Sequence, residues 1–397
     1  MKILHLNTTL KGGAGHFSND LKRYLDKIGH ENHILTFKDF FKKGFLKREF
    51  FVLIYLIKSY FILKYRRKNT IKIISPLFSL WKYSKIQDLV QRYDLVIIHR
   101  FSNFLSFQEL VNITNDSKKV KILGIDEGLF LLDRRYSMNG NNYISDIEKF
   151  EKENFKKNNR KLKDYLRIET ILEKADFSNS EIILANDFEK EKIINSFWNK
   201  SKINISTKIF PYQPLISNEK LEKIFINKIN DFENKLIITV SALHPTKRKG
   251  FDLIPEYLEH LLHITSMQNN KKIEINIISS ENLIKTEKIQ KSNIILKYHK
   301  ILDKREFEDM LAKAHIFLSF SRIDSGPYTL NMCYYLRTMI LSFNIGVATL
   351  IAKKTNSVRI IDDFSPEKMA LETASVLQIS NSELQNILSY NCDFKWI

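Results

Sequence analysis

The sequence predicts an α/β protein of two doubly wound, Rossmann-like domains facing across a cleft. Three observations carry that expectation. Short apolar runs alternate with helix-like segments through the first half, a proline-containing break "FPYQPL" (210–215) interrupts them, and the same alternation then begins again. Short apolar strands alternating with helices imply a mostly parallel sheet covered on both faces. The expected boundaries are a first domain at 1–210, a linker at 211–218 and a second domain at 219–375. A final helix within 376–397, with Trp396 near its end, is expected to pack back on the first domain.

The strand-like runs of the first half are "KILHLN" (2–7), "HILTF" (33–37), "LVIIH" (95–99), "VKILGI" (120–125), "EIILA" (181–185) and "INISTKIF" (203–210). Helix-like segments lie near 16–28, 45–65, 80–92, 106–114, 146–174 and 187–197. After the prolines come "LIITVSA" (236–242), a helix from Asp252 to about Ile264, "IEINIIS" (273–279), "NIILKY" (293–298) and a helix from Lys304 to Ala314. The strand "HIFLSF" (315–320), a helix from Tyr328, a strand at Met339–Phe343 and a helical tail from Pro366 complete the pattern.

A chain of 397 residues is long enough for two such domains to bury separate cores. With 44% hydrophobic residues and only 11 Gly and 7 Pro, fibrous and largely disordered classes are excluded. Cys333 and Cys392 have no CxxC spacing, so neither a disulfide framework nor a zinc site is expected and a cytoplasmic setting fits. The start "MKILHLN" enters a strand pattern directly, without a signal peptide. No run reaches the ~18–20 apolar residues of a membrane span. The segment 41–85 holds "FFVLIYLIKSYFIL" framed by Lys and Arg, and reads either as a peripheral helix in an anionic membrane interface or as a buried helix with a basic rim. The net charge of +18 suits an anionic small substrate or membrane, but an abundance of Lys, Asn and Ile accounts for it as well; no nucleic-acid motif accompanies it.

Four constellations could carry chemistry. In "LNTTLKGGAGHFSNDLKRYL" (6–25), Gly12, Gly13, Ala14 and Gly15 would let backbone N–H groups approach a ligand closely, or would form a tight turn. The dinucleotide fingerprint GxGxxG fails at Ser18, which argues against a nicotinamide-dependent dehydrogenase. In "SALHPTKRKGFDLIPEYL" (241–258), Lys247, Arg248 and Lys249 stand at a strand end before a helix, where cations would stabilise a diphosphate leaving group or form a solvated basic turn. In "SRIDSGPYTLNMCYYLRTMILSF" (321–343), Asp324 would accept hydroxyl hydrogen bonds, and Ser325, Gly326, Pro327, Tyr328 and Thr329 form a polar turn running into a helix N-terminus. The bland alternative is a turn before a buried helix with Met332, Cys333 and Leu336 in the core. In "ILGIDEGLFLLDRRYS" (122–137), Asp126 or Glu127 would serve as a base or grip acceptor hydroxyls, with His99 and Arg100 on a neighbouring strand.

Taken together and in order, these segments resemble the GT-B glycosyltransferases, specifically the retaining family 4 enzymes of surface polysaccharide and lipopolysaccharide biosynthesis. The resemblance rests on "MKILHLN" with its GGAG turn, "DLVIIHRFSNFLSF" (94–107), Lys249–Ile254 as "KGFDLI", Ser321 with Asp324, and "SFNIGV" (342–347). It implies transfer of a sugar from a nucleotide-diphosphate sugar, with retention and without a cofactor or metal ion, to a glycan or lipid-linked acceptor. It implies catalytic or donor roles for Lys249, helped by Arg248 or Lys247, and for Asp324, with residues 325–329 supplying backbone donors. Asp126 or Glu127, Gly12–Gly15, His99 and Arg100 would lie on the acceptor side. The chain departs from the family's pattern at Met332, where a ribose-binding acid is usual, at Ile125, where a His is frequent, and at His244, where an Arg is usual. Those departures keep open a catalytically silent relative acting as a glycan-binding or partner subunit.

Overall fold

The computed structural model describes residues 1–7, 12–36, 89–99, 107–123, 176–185, 190, 203–242, 249–266, 271–279, 293–300, 302–322, 328–390 and 392. The chain divides into two compact units; among the described residues the first runs to Thr207 apart from Ala185, which belongs to the second, and the second takes up the chain from Lys208.

In the first unit the strands are β1 (Lys2–Asn7), β2 (Glu31–Thr36), β3 (Leu95–His99), β4 (Val120–Leu123), β5 (Ser180–Leu184) and β6 (Asn204–Thr207), with helices α1 (Gly12–Lys27) and α2 (Phe107–Asp116). They form a six-stranded sheet in the order β2-β1-β3-β4-β5-β6. Every pairing is parallel, with Leu4 opposite His33 on one side and Val96 on the other. All residues of β3 and β4 are buried, as strands covered on both faces must be. The chain reverses its direction of travel across the sheet between β1 and β3.

The second unit holds α3 (Asn218–Asp231), β7 (Lys235–Ala242), a 3-10 turn (Phe251–Leu253) leading into α4 (Ile254–Ser266), β8 (Lys272–Ser279), β9 (Ile294–His299), α5 (Lys304–Lys313) and β10 (Ile316–Ser319). It continues with α6 (Tyr328–Tyr335), β11 (Met339–Phe343), α7 (Ala348–Ala352), β12 (Val358–Ile361), α8 (Pro366–Leu377) and α9 (Asn381–Leu388). Its sheet, also parallel throughout, runs β12-β11-β10-β7-β8-β9. The chain thus works outward from β7 to β9, returns to lay β10 beside β7, and works outward again to β12. That is the doubly wound order whose reversal point opens a crevice at the carboxyl ends of two adjacent strands. Ile238, Val240, Ile275, Leu318 and Leu341 from the sheet pack with Tyr257 and Leu261 of α4, Met369 of α8, and Leu384 and Leu388 of α9 in one core.

Helix starts follow from local chemistry. Asp303 and Glu306 form a reciprocal capping box on α5, as Ser380 and Glu383 do on α9, and Ser365 caps α8 with Pro366 in its first turn. The segment read as a linker is fastened to the second unit by Glu308, which is fully buried. Glu308 accepts hydrogen bonds from the Tyr212 hydroxyl and, at 2.7 Å, from the Leu215 N–H. Lys228 at the end of α3 is also buried and donates at 2.6 Å to the carbonyl of Arg337, a residue in the left-handed conformation (φ 52°). Burial lowers the Lys228 ammonium to about 7.

Most expected strands are present within a residue or two. Over its described part the tail forms α9, which buries Leu384 and Leu388 in the second unit's own core. Trp396 and the segment 41–85 lie outside the described residues. No described helix is long and apolar enough to cross a membrane.

Replacing Tyr212 by Phe leaves Glu308 buried with one donor fewer. Denaturant unfolding of Tyr212→Phe should show a loss of roughly 1–3 kcal/mol, whereas a loss near zero would mean Glu308 finds another donor.

Candidate functional site

The carboxyl ends of the strands flanking each reversal point gather most of the described candidate residues. In the second unit these are β7, which leads towards Lys249, and β10, which leads into Phe320–Arg322. The two segments touch. Gly250 has φ 67°, and a Cβ added there would lie 1.8 Å from the Phe320 carbonyl oxygen, so only glycine allows the basic turn to sit on the end of β10. Two residues on, Asp252 receives both arms of Arg322, Nη1 to Oδ1 at 2.6 Å and Nη2 to Oδ2 at 2.9 Å. The Arg322 side chain is 2% exposed and that of Asp252 36%. Such a two-pronged pair fixes direction as well as distance. Phe320 anchors the junction from below, its ring edge-on to Tyr257 and Phe343 at 5.2 and 6.0 Å.

α6 follows from this junction. Its first turn, at Tyr328 and Thr329, carries the positive end of the helix dipole. The Tyr328 ring meets the Tyr212 ring edge-on at 5.8 Å, which ties the start of α6 to the fastened linker. Met332 is 3% exposed and Cys333 and Leu336 are buried with it, so the position where an acid was looked for is a core position. Its neighbour Asn331 is 1% exposed, and its Oδ1 has no hydrogen-bond partner among the described residues.

In the first unit, Gly12–Gly15 do not form a turn, as expected, but the first turn of α1. The helix begins soon after β1, and glycine's unfavourable helix propensity is overridden by that connection. Asn7 at the end of β1 donates at 2.7 Å to the Ser18 hydroxyl of α1, holding strand and helix together. His99, the last residue of β3, is 2% exposed rather than open to a ligand along its whole ring. Its Nε2 lies 3.0 Å from Nδ1 of His5, whose Nε2 lies 3.1 Å from Oδ1 of Asn32. The two imidazoles stack at 5.3 Å, and Phe17 of α1 meets His99 edge-on at 5.6 Å. Burial lowers His5 to about 4 and His99 well below its usual value, so both rings are neutral at pH 7.

Of the predicted site residues, the structure places Gly12, Gly13, Ala14, Gly15, His99, Lys249, Tyr328 and Thr329. Arg100, Asp126, Glu127, Lys247, Arg248, Asp324, Ser325, Gly326 and Pro327 lie outside the described residues, as do Ile125 and His244. Sequence reasoning missed Arg322, Asp252, His5 and Asn32 as members of the two junctions. The available signal was polarity inside apolar strands, His5 within "KILHLN" above all. Among the described residues, no three His, Cys, Asp or Glu side chains gather as a metal site.

No protein-family model and no curated protein matches the sequence. Solved structures match nearly the whole chain at low identity. Alr3699/HepE of Anabaena, in complex with UDP and glucose, is 10% identical with a TM-score of 0.51, over 98% of this chain and 93% of that one. A glycosyltransferase of Rickettsia africae is 13% identical with a TM-score of 0.53, over 98% and 93%. WaaG, a glycosyltransferase involved in lipopolysaccharide biosynthesis, is 13% identical with a TM-score of 0.50, over 97% and 92%. In fold, the chain resembles the GT-B glycosyltransferases, with two Rossmann-like units.

Two outcomes are expected. Gly250→Ala should lower the thermal midpoint by several degrees, since the left-handed conformation alone costs roughly 1–2 kcal/mol before the clash with Phe320 is counted. An unchanged midpoint would mean the turn can leave β10 freely. Acid should also weaken the first unit. The unfolded chain takes up a proton at His5 near its usual 6.5, which the folded chain refuses until about 4. The unfolded state therefore binds more protons in that window, and stability falls as the pH drops from 6.5 towards 4, by on the order of 3 kcal/mol from His5 alone. Unfolding of His5→Asn, followed against pH, should lose that part of the slope.

Proposed function

We propose that the chain is a glycosyltransferase drawing its sugar from a nucleotide-diphosphate sugar. The observation that carries this reading is the junction at the second unit's reversal point. There the Lys249 turn is locked by Gly250 and by Asp252–Arg322 onto the strand end that leads to the N-terminus of α6. Arg322 is paired with Asp252, and Lys249 stands three residues before that aspartate in the same basic turn, where it would meet a diphosphate. Backbone donors of α6 would share the same charge. The GT-B fold supports the reading, since the Rickettsia africae protein and WaaG, which share the fold, are glycosyltransferases and HepE holds UDP and glucose.

The finer reading follows the sequence resemblance. The acceptor hydroxyl attacks the anomeric carbon on the face from which the diphosphate departs. The bond from that carbon to the phosphate oxygen breaks, the bond to the acceptor oxygen forms, and the hydroxyl proton passes to the leaving diphosphate. Configuration is retained, and neither a cofactor nor a metal ion is required. Lys249, with Arg248 or Lys247, steadies the leaving group, and Asp324 orients the sugar. Asp126 or Glu127 and the carboxyl ends of β1 and β3 serve the acceptor, a glycan or lipid-linked sugar of bacterial surface polysaccharide assembly. The segment 41–85 would bring the chain to the inner face of the membrane as a peripheral protein.

A second reading is favoured by one observation: Met332 is a core side chain and gives the ribose no acceptor. On it, the chain is a catalytically silent relative that binds glycan or supports a partner.

Binding and slow hydrolysis of UDP-, GDP-, ADP- and CMP-sugars by the purified chain separate the two. The transferase reading expects saturable binding with hydrolysis, reduced by roughly 100-fold or more in Lys249→Ala and Asp324→Ala. Absence of binding to every nucleotide sugar would support the silent relative.

A further inference from the structure

The histidine pair of the first unit has a definite proton order. Asn32 Nδ2 donates to Asp26 Oδ1 at 2.9 Å and to the His30 carbonyl at 3.0 Å, two groups that only accept. The amide orientation of Asn32 is thereby fixed, and its Oδ1 is left to accept. His5 Nε2, at 3.1 Å from that oxygen, must carry the proton. In a neutral ring, His5 Nδ1 is then a bare acceptor, and the contact at 3.0 Å requires the proton on His99 Nε2. The remaining atom, His99 Nδ1, is a lone pair. It is buried, on a ring 2% exposed, and has no hydrogen-bond partner among the described residues.

A buried polar atom without a partner costs roughly 1–3 kcal/mol, a cost that a hydrogen bond from a ligand or from water would relieve. His99 ends β3, at the carboxyl edge of the sheet beside its reversal point, and its ring lies against Phe17 near the start of α1. That is where a doubly wound sheet takes its ligand. The visitor must bring a donor, because Nδ1 can only accept. It must also be uncharged or cationic, because a carboxylate or phosphate oxygen would face a lone pair.

We propose that Asn32 and His5 are positioning residues that hold His99 in a single tautomer, so that His99 Nδ1 accepts a hydrogen bond from a hydroxyl of a neutral sugar. This rests on the transferase reading for its choice of sugar, and it deepens that reading by assigning one contact of the acceptor. The relay is one-way. Asn32 sets His5, His5 sets His99, and the order is independent of any nucleotide.

The test is nitrogen-15 magnetic resonance of the full chain labelled at histidine, without any nucleotide sugar. In the free protein His99 should show a protonated Nε2 and an unprotonated Nδ1 at neutral pH. Glucose, galactose and mannose are then added in turn. At least one should move the Nδ1 resonance saturably, in the direction of hydrogen-bond acceptance, and leave Nε2 nearly still. In Asn32→Leu the two nitrogens of His99 should become mixed and the sugar response should be lost. The proposal is overturned if His99 Nδ1 carries the proton, if both nitrogens share it in the free wild type, or if no sugar moves the Nδ1 signal, in which case the lone pair serves water. Should Asn32→Leu fail to fold, the wild-type spectra decide alone. Because no donor is present, a chain that hydrolyses no nucleotide sugar can still pass this test, and an active one can still fail it.

Discussion

The approach of Gly250 to the carbonyl of Phe320 is the constraint on which the second unit's site depends. Two strands that pair in the middle of a parallel sheet send their chains to opposite faces, and nothing in the sheet itself dictates what those chains do afterwards. Here a residue without a side chain lets one chain rest directly on the other's backbone, and Arg322 then clamps Asp252 from the far side. The contact turns two loop openings into one rigid corner. Burying an arginine there is tolerable because both arms of its guanidinium are met by a carboxylate.

The first unit solves a related problem with neutral groups. Two imidazoles inside an apolar sheet would be costly if charged, and burial keeps them uncharged. Their hydrogen bonds run from an amide on the edge strand β2, through β1, to β3. The chain of contacts follows the sheet's own order, so the parallel register that aligns Leu4 and His5 with β2 and β3 is also what lines up the donors and acceptors.

The fold was largely legible because its strands are buried on both faces and therefore read as unbroken apolar runs. "LVIIH" and "IEINIIS" could be little else. β12 escaped notice because "VRII" is short and carries Arg359, as suits a strand at the sheet's edge. Gly12–Gly15 misled in the opposite way: glycines suggest a turn, yet the need to start α1 soon after β1 made them helical. Of the sites, the basic turn and the start of α6 were visible as motifs. The pairing of Asp252 with Arg322, seventy residues apart, and of His5 with His99, ninety-four apart, belongs to tertiary structure, and no local pattern announces it.

Lys228 has a consequence for how this chain would respond to covalent labelling. Its amine is inside the second unit, bonded to the Arg337 carbonyl, and titrates near 7, so at neutral pH an appreciable share is uncharged and intrinsically nucleophilic. Yet no acylating reagent reaches it while α3, β10 and the turn after α6 stay packed. Cys333, buried nearby with its thiol pushed up by the same desolvation, is equally shielded. Modification of either therefore reports the opening of that corner of the fold, a built-in clock for local unfolding that surface lysines, abundant in this chain, do not supply.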